Sequence, residues 1–289
     1  MAIGIVPSGA PIGAEITGVD LSGPLDDATF GEVEAAFHRY GVVYFRGQRL
    51  TPQQQRDFAR RFGELEVHVM SQFQVPDCPE LIIVSNVLEN GKPIGFVEAG
   101  QFWHTDSCFR RVPSRCSLLY ALEVPEQDGR VLGDTLFADA ASAYDSLPDA
   151  TRRRIDALKV AQRYGDRYEK TRGNTGGAIA PMTEQQKSKL PDALHPVVRV
   201  HPFTGRKCLY VNEGYSVAID GLPGEESRAL IAELTATVVR PEFVYRHVWR
   251  AGDLIIWDNC STQHKAEGGY AWPLRRRMHR ATVAGLPTS

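Results

Sequence analysis

The chain has 289 residues, with 33 Lys and Arg against 35 Asp and Glu and a formal net charge of −2. That length buries a sizeable core in one large domain or two small ones. The balanced charge, with no long run of one sign, gives no electrostatic reason to expect nucleic acid or a membrane surface as partner. Five cysteines, Cys78, Cys108, Cys116, Cys208 and Cys260, occur without any CxxC, which suggests neither a disulfide framework nor a zinc ribbon and fits a reducing cytosol. The opening MAIGIVPSGAPIG has no basic n-region and no apolar h-region, and no run of about 18 apolar residues follows, so the expectation is a soluble, cytoplasmic protein.

In chain order, AEITGVDL reads as a strand. DATFGEVEAAFHRYG places Phe30, Val33, Ala36, Phe37 and Tyr40 on one helical face, with Gly41 as C-cap. VVYFRG reads as a short buried strand. TPQQQRDFARRFGEL reads as a second helix, with Thr51 as N-cap, Pro52 at its first position and Gly63 at its end. From residue 80 onward short β-rich runs recur between turn residues: ELIIVSN, SRCSLLYALEV, DTLFAD, HPVVRVHP, KCLYVN, FVYRHVW, DLIIWDN and RRMHRATVAG. They predict an all-β barrel or sandwich. Two helical segments interrupt it, AASAYDSLPDATRRRIDALKVA and GEESRALIAELTATVV. Between them a polar, Gly-rich stretch from about 169 to 191 is expected to be a loop serving as a lid on a single domain spanning 1–289.

The stretch FWHTDSCF sets His104 and Asp106 two residues apart among aromatics. In a strand, i and i+2 share a face, so both side chains can point at one metal ion. Of the remaining histidines, His38, His195, His201, His247 and His279 read as structural, and His68 and His264 stand out. His264 follows an apolar strand and a polar turn in DLIIWDNCSTQHKA. Two imidazoles and one carboxylate on one side of a metal form the facial triad of non-haem Fe(II) oxygenases, which leaves positions open for reactants. HxD alone is weak, because such tripeptides arise by chance.

Twelve residues after His264 comes LRRRMHRATVAG. On a strand Arg276, Met278 and Arg280 share one face, and Arg275, Arg277 and His279 the other, with one of the two faces expected to be an exposed basic surface. Arginines turned into a barrel need anions to meet them, and the planar guanidinium pairs bidentately with carboxylate.

With these residues assembled, the chain resembles the TauD/TfdA family of Fe(II)/2-oxoglutarate-dependent dioxygenases over nearly its whole length. GAEITGVDLSGPL, VVYFRGQRLTPQQQRDFARRFGEL, WHTDSCF, GDTLFADAASAYDSLP, LHPVVRVHPFTGRKCLYVNEG and WDNCSTQHKA with RRRMHRATVAG follow the family's order. The resemblance implies a mainly β fold with flanking helices around a double-stranded β-helix, the cupin-like jelly roll. It implies Fe(II), 2-oxoglutarate and O2 as cofactor and co-substrates, and His104, Asp106 and His264 as iron ligands. Arg276 would bind the distal carboxylate of 2-oxoglutarate, helped by Thr135, and Arg280 would meet an acidic group of the prime substrate. His68, Ser71 and Gly100 fall at the family's substrate pocket.

Family members that use taurine carry a tyrosine and an asparagine where this chain has Ser71 and Gly100, so the pocket is expected to be roomier. FVYRHVW, GDLIIWDN and ADAASAYDSLP lean toward the aryloxyalkanoate branch. The usual GGDT reads Leu132-Gly133-Asp134-Thr135, a departure that bears on Thr135. The carboxylate at Asp106 argues against a halogenase. The expected reaction is hydroxylation of a small anionic substrate, with succinate and CO2 as co-products. Desaturation, cyclisation or epimerisation on the same iron, or a non-catalytic binder, are the alternatives. A homo-oligomer, dimer or tetramer, is compatible with this reading.

Overall fold

The two N-terminal helices form where the sequence supplies their caps. In this computed structural model, which describes residues 3–68, 71–96, 100–174, 181–184 and 191–288, Asp26 caps the helix Asp27–Tyr40 by accepting from the Thr29 amide at 2.8 Å. Gly41, at φ 64°, ends it by donating its N–H to Phe37 O, a left-handed conformation that glycine adopts without a Cβ clash. Thr51 and Gln54 make a reciprocal capping box ahead of Pro52 at the head of the helix Pro52–Ala59, and one 3₁₀ turn, Arg60–Phe62, carries the chain to Gly63.

Both helices cover one face of an eight-stranded sheet. Its strand order is Gly4–Pro7, Ala14–Thr17, Val42–Phe45, Leu254–Asp258, Cys116–Glu123, Arg277–Val283, Cys78–Ser85, Gln74–Val75. Phe30, Val33, Phe37, Phe58 and Phe62 pack there on Val43, Leu118, Ile256, Ala281 and Val283. The opposite face supplies Val42, Tyr44, Leu119, Ile255, Trp257 and Met278 to a second cluster shared with Phe137 and Tyr245. These last two belong to a facing sheet ordered Val244–His247, Thr135–Asp139, Thr262–Ala266. Further strands, Ala193–Pro196 with Lys159–Gln162 and Ser216–Ile219, and Val198–Val200 with Lys207–Leu209, extend this layer. The helices Ala140–Asp145, Asp149–Ile155 and Gly224–Val238 close its back around Tyr144, Ile155, Leu230 and Leu234. The result is the expected jelly roll with flanking helices, and the site lies where the two sheets open. Among the described residues no helix is long and apolar enough to cross a membrane, and all five cysteines are free and buried.

Several local expectations need correction. AASAYDSLPDATRRRIDALKVA is not one helix. It breaks at Leu147-Pro148, where proline cannot continue the first helix and instead precedes the second, and its end, Lys159–Gln162, is a strand. HPVVRVHP is not one strand, since Ala193–Pro196 and Val198–Val200 pair with different partners either side of Val197. The polar stretch from 169 begins inside a helix, Tyr164–Asn174, and much of the remaining lid segment lies outside the described residues.

His279 belongs to the sheet face that the helices cover, so that face is not an exposed basic surface. The residue is buried beside Gln55, whose Nε2 donates to His279 O at 2.9 Å. Burial, with Arg277 nearby, pushes the His279 imidazole down to about 4 from its ordinary 6.5. The unfolded chain therefore takes up a proton that the folded chain refuses. Stability falls once the pH drops below about 6.5, and the loss is complete near 4. Between pH 7 and pH 4.5, His279→Leu should spare on the order of 2 to 3 kcal/mol of the wild-type loss in denaturant-derived stability. Equal pH dependence in the two proteins would mean that His279 is protonated in the fold.

Candidate active site

His104 and His264 face each other across an antiparallel bridge: the His104 N–H donates to His264 O at 3.1 Å and the His264 N–H to His104 O at 2.8 Å. Directly opposed residues of an antiparallel pair present their side chains on one face, and the imidazole centroids lie 4.2 Å apart. Asp106 reaches the same place by a different route from the one its spacing implies. Only His104 is in strand pairing; Asp106 occupies the turn that follows, just before Ser107 at φ 57°. Asn259, at the end of strand Leu254–Asp258, fixes that turn. Its backbone oxygen accepts from Thr105 Oγ1 at 2.8 Å and its Oδ1 from the Asp106 amide at 3.4 Å. Ser117 Oγ donates to Asp106 Oδ2 at 2.6 Å and receives a hydrogen bond from Asn259 Nδ2 at 3.3 Å. Neither Asn259 nor Ser117 was singled out from the sequence, although a polar Asp-Asn pair ending the apolar run LIIW was the available signal.

Asp106 Oδ1 is left facing His104 Nε2 at 3.8 Å and His264 Nε2 at 3.9 Å. These separations are too long for hydrogen bonds, and the three donor atoms lie within 4.8 Å of one another, close enough to share one ion. His104 Nδ1 is 2.8 Å from Phe102 O, which fixes it as the N–H and leaves Nε2 its lone pair. Burial keeps both rings neutral: it lowers His104, and it brings His264, with His104 beside it, down to about 3. Burial pushes the Asp106 carboxyl up, but Arg280 first, then the two imidazoles and Ser117, outweigh it and hold the group well below the usual carboxylate range. Two neutral imidazoles and an ionised carboxylate fit a divalent first-row metal such as Fe(II). A second cluster, His201, Asp258 and Cys260, is also compact. There His201 Nε2 donates to Asp258 Oδ2 at 2.6 Å and His201 Nδ1 accepts from the amides of Phe203 and Thr204, so its hydrogen bonds are complete without a metal.

Arg280 and Met278 lie on the inner side of the strand Arg277–Val283, as the alternation predicts, and Arg276, one residue ahead of it, turns the same way and donates to Met278 Sδ at 3.5 Å. A bulge between Arg277 and Met278 interrupts the pairing with Cys116–Glu123. Arg276 is buried. Its NH1 donates to Gly133 O at 2.9 Å and Tyr270 Oη at 3.2 Å, and its Nε has no hydrogen-bond partner. Among the described residues no carboxylate pairs with it, so an anionic co-substrate such as 2-oxoglutarate suits a charge that would otherwise be buried alone. Thr135 Oγ1 accepts from Trp249 Nε1 at 3.0 Å, which leaves the Thr135 hydroxyl proton to donate elsewhere. Arg280 NH1 is 3.7 Å from Asp106 Oδ1.

The remaining expected residues divide. His68 is half-buried, its ring 5.3 Å from Phe96, and burial followed by Arg280 lowers its pKa to about 4. Ser71 is exposed on the turn Ser71–Phe73, whose Phe73 also packs on Phe96. Gly100 is at φ +73° against the His104 ring, where an added Cβ would come within 2.3 Å of Cε1. It gives the imidazole room, so Gly100→Ala should weaken Fe(II) binding about tenfold, the scale of second-layer changes at metal centres, as read by anaerobic metal titration; unchanged affinity would contradict this role. Trp257 packs 4.8 Å from His264 and Phe102 4.7 Å from His104, whereas Trp103 packs into the core behind.

The profile of the family described as "Taurine catabolism dioxygenase TauD, TfdA family" matches residues 5–282. The alpha-ketoglutarate-dependent 2,4-dichlorophenoxyacetate dioxygenase of Burkholderia sp. (strain RASC) is 35% identical over 94% of this chain and 91% of the relative. Pentalenolactone F synthase of Streptomyces arenae is 33% identical over 96% of this chain and 93% of the relative. The solved structure of AAD-2 in complex with Mn(II) and N-oxalylglycine superposes with a TM-score of 0.84 at 33% identity, covering 100% of this chain and 99% of that one. A family match across nearly the whole length, with relatives this similar end to end, means that the chain belongs to the TauD/TfdA family of Fe(II)- and 2-oxoglutarate-dependent dioxygenases.

Proposed function

We propose that this enzyme hydroxylates a C–H bond of a small anionic organic substrate, of the aryloxyalkanoate, sulfonate or related carboxylate type, in the cytoplasm. Arg280 carries the reading. Its guanidinium lies beside the paired imidazoles with Asp106 Oδ1 at 3.7 Å and its buried Nε unpartnered. Asp106 is also the carboxylate assigned to the metal, so an acidic group on the substrate is the natural partner for the rest of that fork. His104, Asp106 and His264 would hold Fe(II). Arg276 would hold the distal carboxylate of 2-oxoglutarate, with the Thr135 hydroxyl donating to it. Bound there, Fe(II) with 2-oxoglutarate and O2 supplies the oxidising chemistry, with succinate and CO2 as co-products. The protein orients the reactants and keeps the pocket dry. Trp257 and Phe102 back the two imidazoles, and half-buried His68, neutral above about pH 4, would offer the substrate a hydrogen bond without adding charge. The enzyme would work as this single domain.

The test is succinate release with Fe(II), ascorbate and 2-oxoglutarate across sulfonates, sulfate esters, phosphonates, aryloxy acids and amino-acid derivatives, each beside its neutral amide or methyl ester. Stimulation should be confined to the acids. Equal stimulation by the neutral partners would contradict the role of Arg280. The relative named as a synthase favours a second reading, a biosynthetic oxidation that desaturates, cyclises or epimerises. Product mass separates the outcomes: one oxygen gained marks hydroxylation, either in one product or, where the hydroxylated carbon bears an ether or ester oxygen, shared between a carbonyl fragment and the released phenol or acid; two hydrogens lost mark desaturation or ring closure, and no change marks epimerisation.

A further inference from the structure

We propose that Arg167 is a specificity-determining residue that receives a second acidic group on the prime substrate, so that the enzyme selects dianions carrying an acid at each end. The inference rests on the reading that Arg280 holds one acid of a small anionic substrate.

The helix Tyr164–Asn174 begins two residues after the strand Lys159–Gln162 and sets the Arg167 guanidinium carbon 3.3 Å over the Phe102 ring. Phe102 packs in turn 4.7 Å from the His104 ring. Arg167 is half-buried, its Nε is buried without a hydrogen-bond partner, and among the described residues no carboxylate forms an ion pair with it. Nearby Arg163 shows what a structural arginine does in this region: it grips Asp192 through bonds of 2.9 and 2.8 Å. A cation–π stack engages the face of a guanidinium and leaves its in-plane N–H groups free to donate. Glu213, the carboxylate whose charge reaches Arg167, is exposed and lies beyond ion-pair distance.

Charge and shape agree on what would fit. Arg167 and Arg280 are both close enough to act on His104 electrostatically. Arg276 adds a third guanidinium, and Asp106 is the carboxylate that faces the two imidazoles. An Fe(II) ion and the dianion of 2-oxoglutarate would cancel each other, so among these four residues three guanidiniums stand against one carboxylate, an excess of positive charge that an anionic substrate would meet. Phe102 stands between Arg167 and the His104 ring and belongs to an aromatic cluster. Phe109 lies 4.7 Å from Tyr164 and 5.0 Å from Tyr215, and Phe102 lies 5.7 Å from Tyr215. Phe102, Phe109 and Tyr164 are only partly buried around Tyr215, and their exposed faces would be the apolar surface against which a rigid carbon skeleton joining two acids packs.

The experiment compares phenoxyacetate with 4-carboxyphenoxyacetate in the reconstituted enzyme and in R167Q and R167K, reading succinate release, coupled product and the KM for 2-oxoglutarate. Isothermal titration of both acids into metal-free protein gives a readout independent of turnover. Wild-type enzyme should prefer the diacid by about tenfold or more in kcat/KM and in affinity, as one added charge-assisted pair implies. R167Q should bring the ratio to about one while leaving phenoxyacetate and 2-oxoglutarate within about twofold of wild type, and R167K should restore part of the preference. Equal use of the two acids by wild-type enzyme, a preference that survives R167Q, or an equal loss for both acids in R167Q would each overturn the assignment; the last would mean that Arg167 only supports Phe102 and His104. If the monoacid binds and the diacid does no better, this inference alone fails. If neither acid binds, the small-acid reading fails with it.

Discussion

Replacing His104, Asp106 or His264 by alanine should reduce Fe(II)-dependent succinate release by at least about a thousandfold, because each would remove one of the three proposed ligands. The fold should survive. The three side chains are buried, yet they converge on one another at 3.8–3.9 Å without hydrogen bonds between them, so no core contact depends on their mutual pairing. Asp106→Ala has a second consequence. It deletes the carboxylate nearest Arg280 and so leaves that guanidinium free for an added anion. Circular dichroism and cooperative thermal unfolding close to wild type, combined with lost turnover, would place the defect at the centre. Full activity in His264→Ala would remove His264 from the proposed ligand set.

The two inward arginines should fail differently. Arg276 is buried, without a carboxylate partner among the described residues, and anchored by Gly133 and Tyr270. Losing the proposed pair with the distal carboxylate of 2-oxoglutarate should cost about 2 to 5 kcal/mol, roughly thirty- to several-thousand-fold in apparent affinity, whatever the prime substrate. Arg280 is more exposed and lies against Asp106. Arg280→Ala should leave 2-oxoglutarate binding nearly unchanged, weaken the acidic substrate, and uncouple 2-oxoglutarate decarboxylation from substrate oxidation. Titrating 2-oxoglutarate into both variants decides the matter, since equal losses or the reverse pattern would contradict the assignment of the two guanidiniums.

What could be read from the sequence is what local chemistry determines. Thr51, Pro52 and Gln54 state the start of a helix within four residues, and the alternation Arg276, Met278, Arg280 states a face. The opposed histidines are a different case. His104 and His264 are 160 residues apart in sequence, so their pairing could be proposed from the strand and turn that deliver His264 and gained its weight from the family resemblance. The supports of the site were not legible, because they are tertiary. Asn259 meets Asp106 across 153 residues, and Trp249 meets Thr135 across 114. Nothing local distinguishes such an Asn or Trp from a core residue. The missed strand Lys159–Gln162 has helix-compatible composition, and it becomes a strand because Ala193–Pro196 and Ser216–Ile219 pair on both its edges. The helix Tyr164–Asn174 went unread for the opposite reason. Its Gly165 and Gly173 look like a loop, while Tyr164 and Arg167 tie its first turn to Phe109 and Phe102.

The central claim is that His104, Asp106 and His264 bind Fe(II) beside an arginine-anchored 2-oxoglutarate. Its most direct test is an anaerobic titration of Fe(II) and then 2-oxoglutarate into the purified protein, followed by visible absorbance. Wild-type protein should develop a weak charge-transfer band that saturates at one equivalent of each. The band should be absent in His264→Ala and should require far more 2-oxoglutarate in Arg276→Ala. A band of undiminished strength in His264→Ala, or none in wild-type protein loaded with Fe(II), would contradict the account.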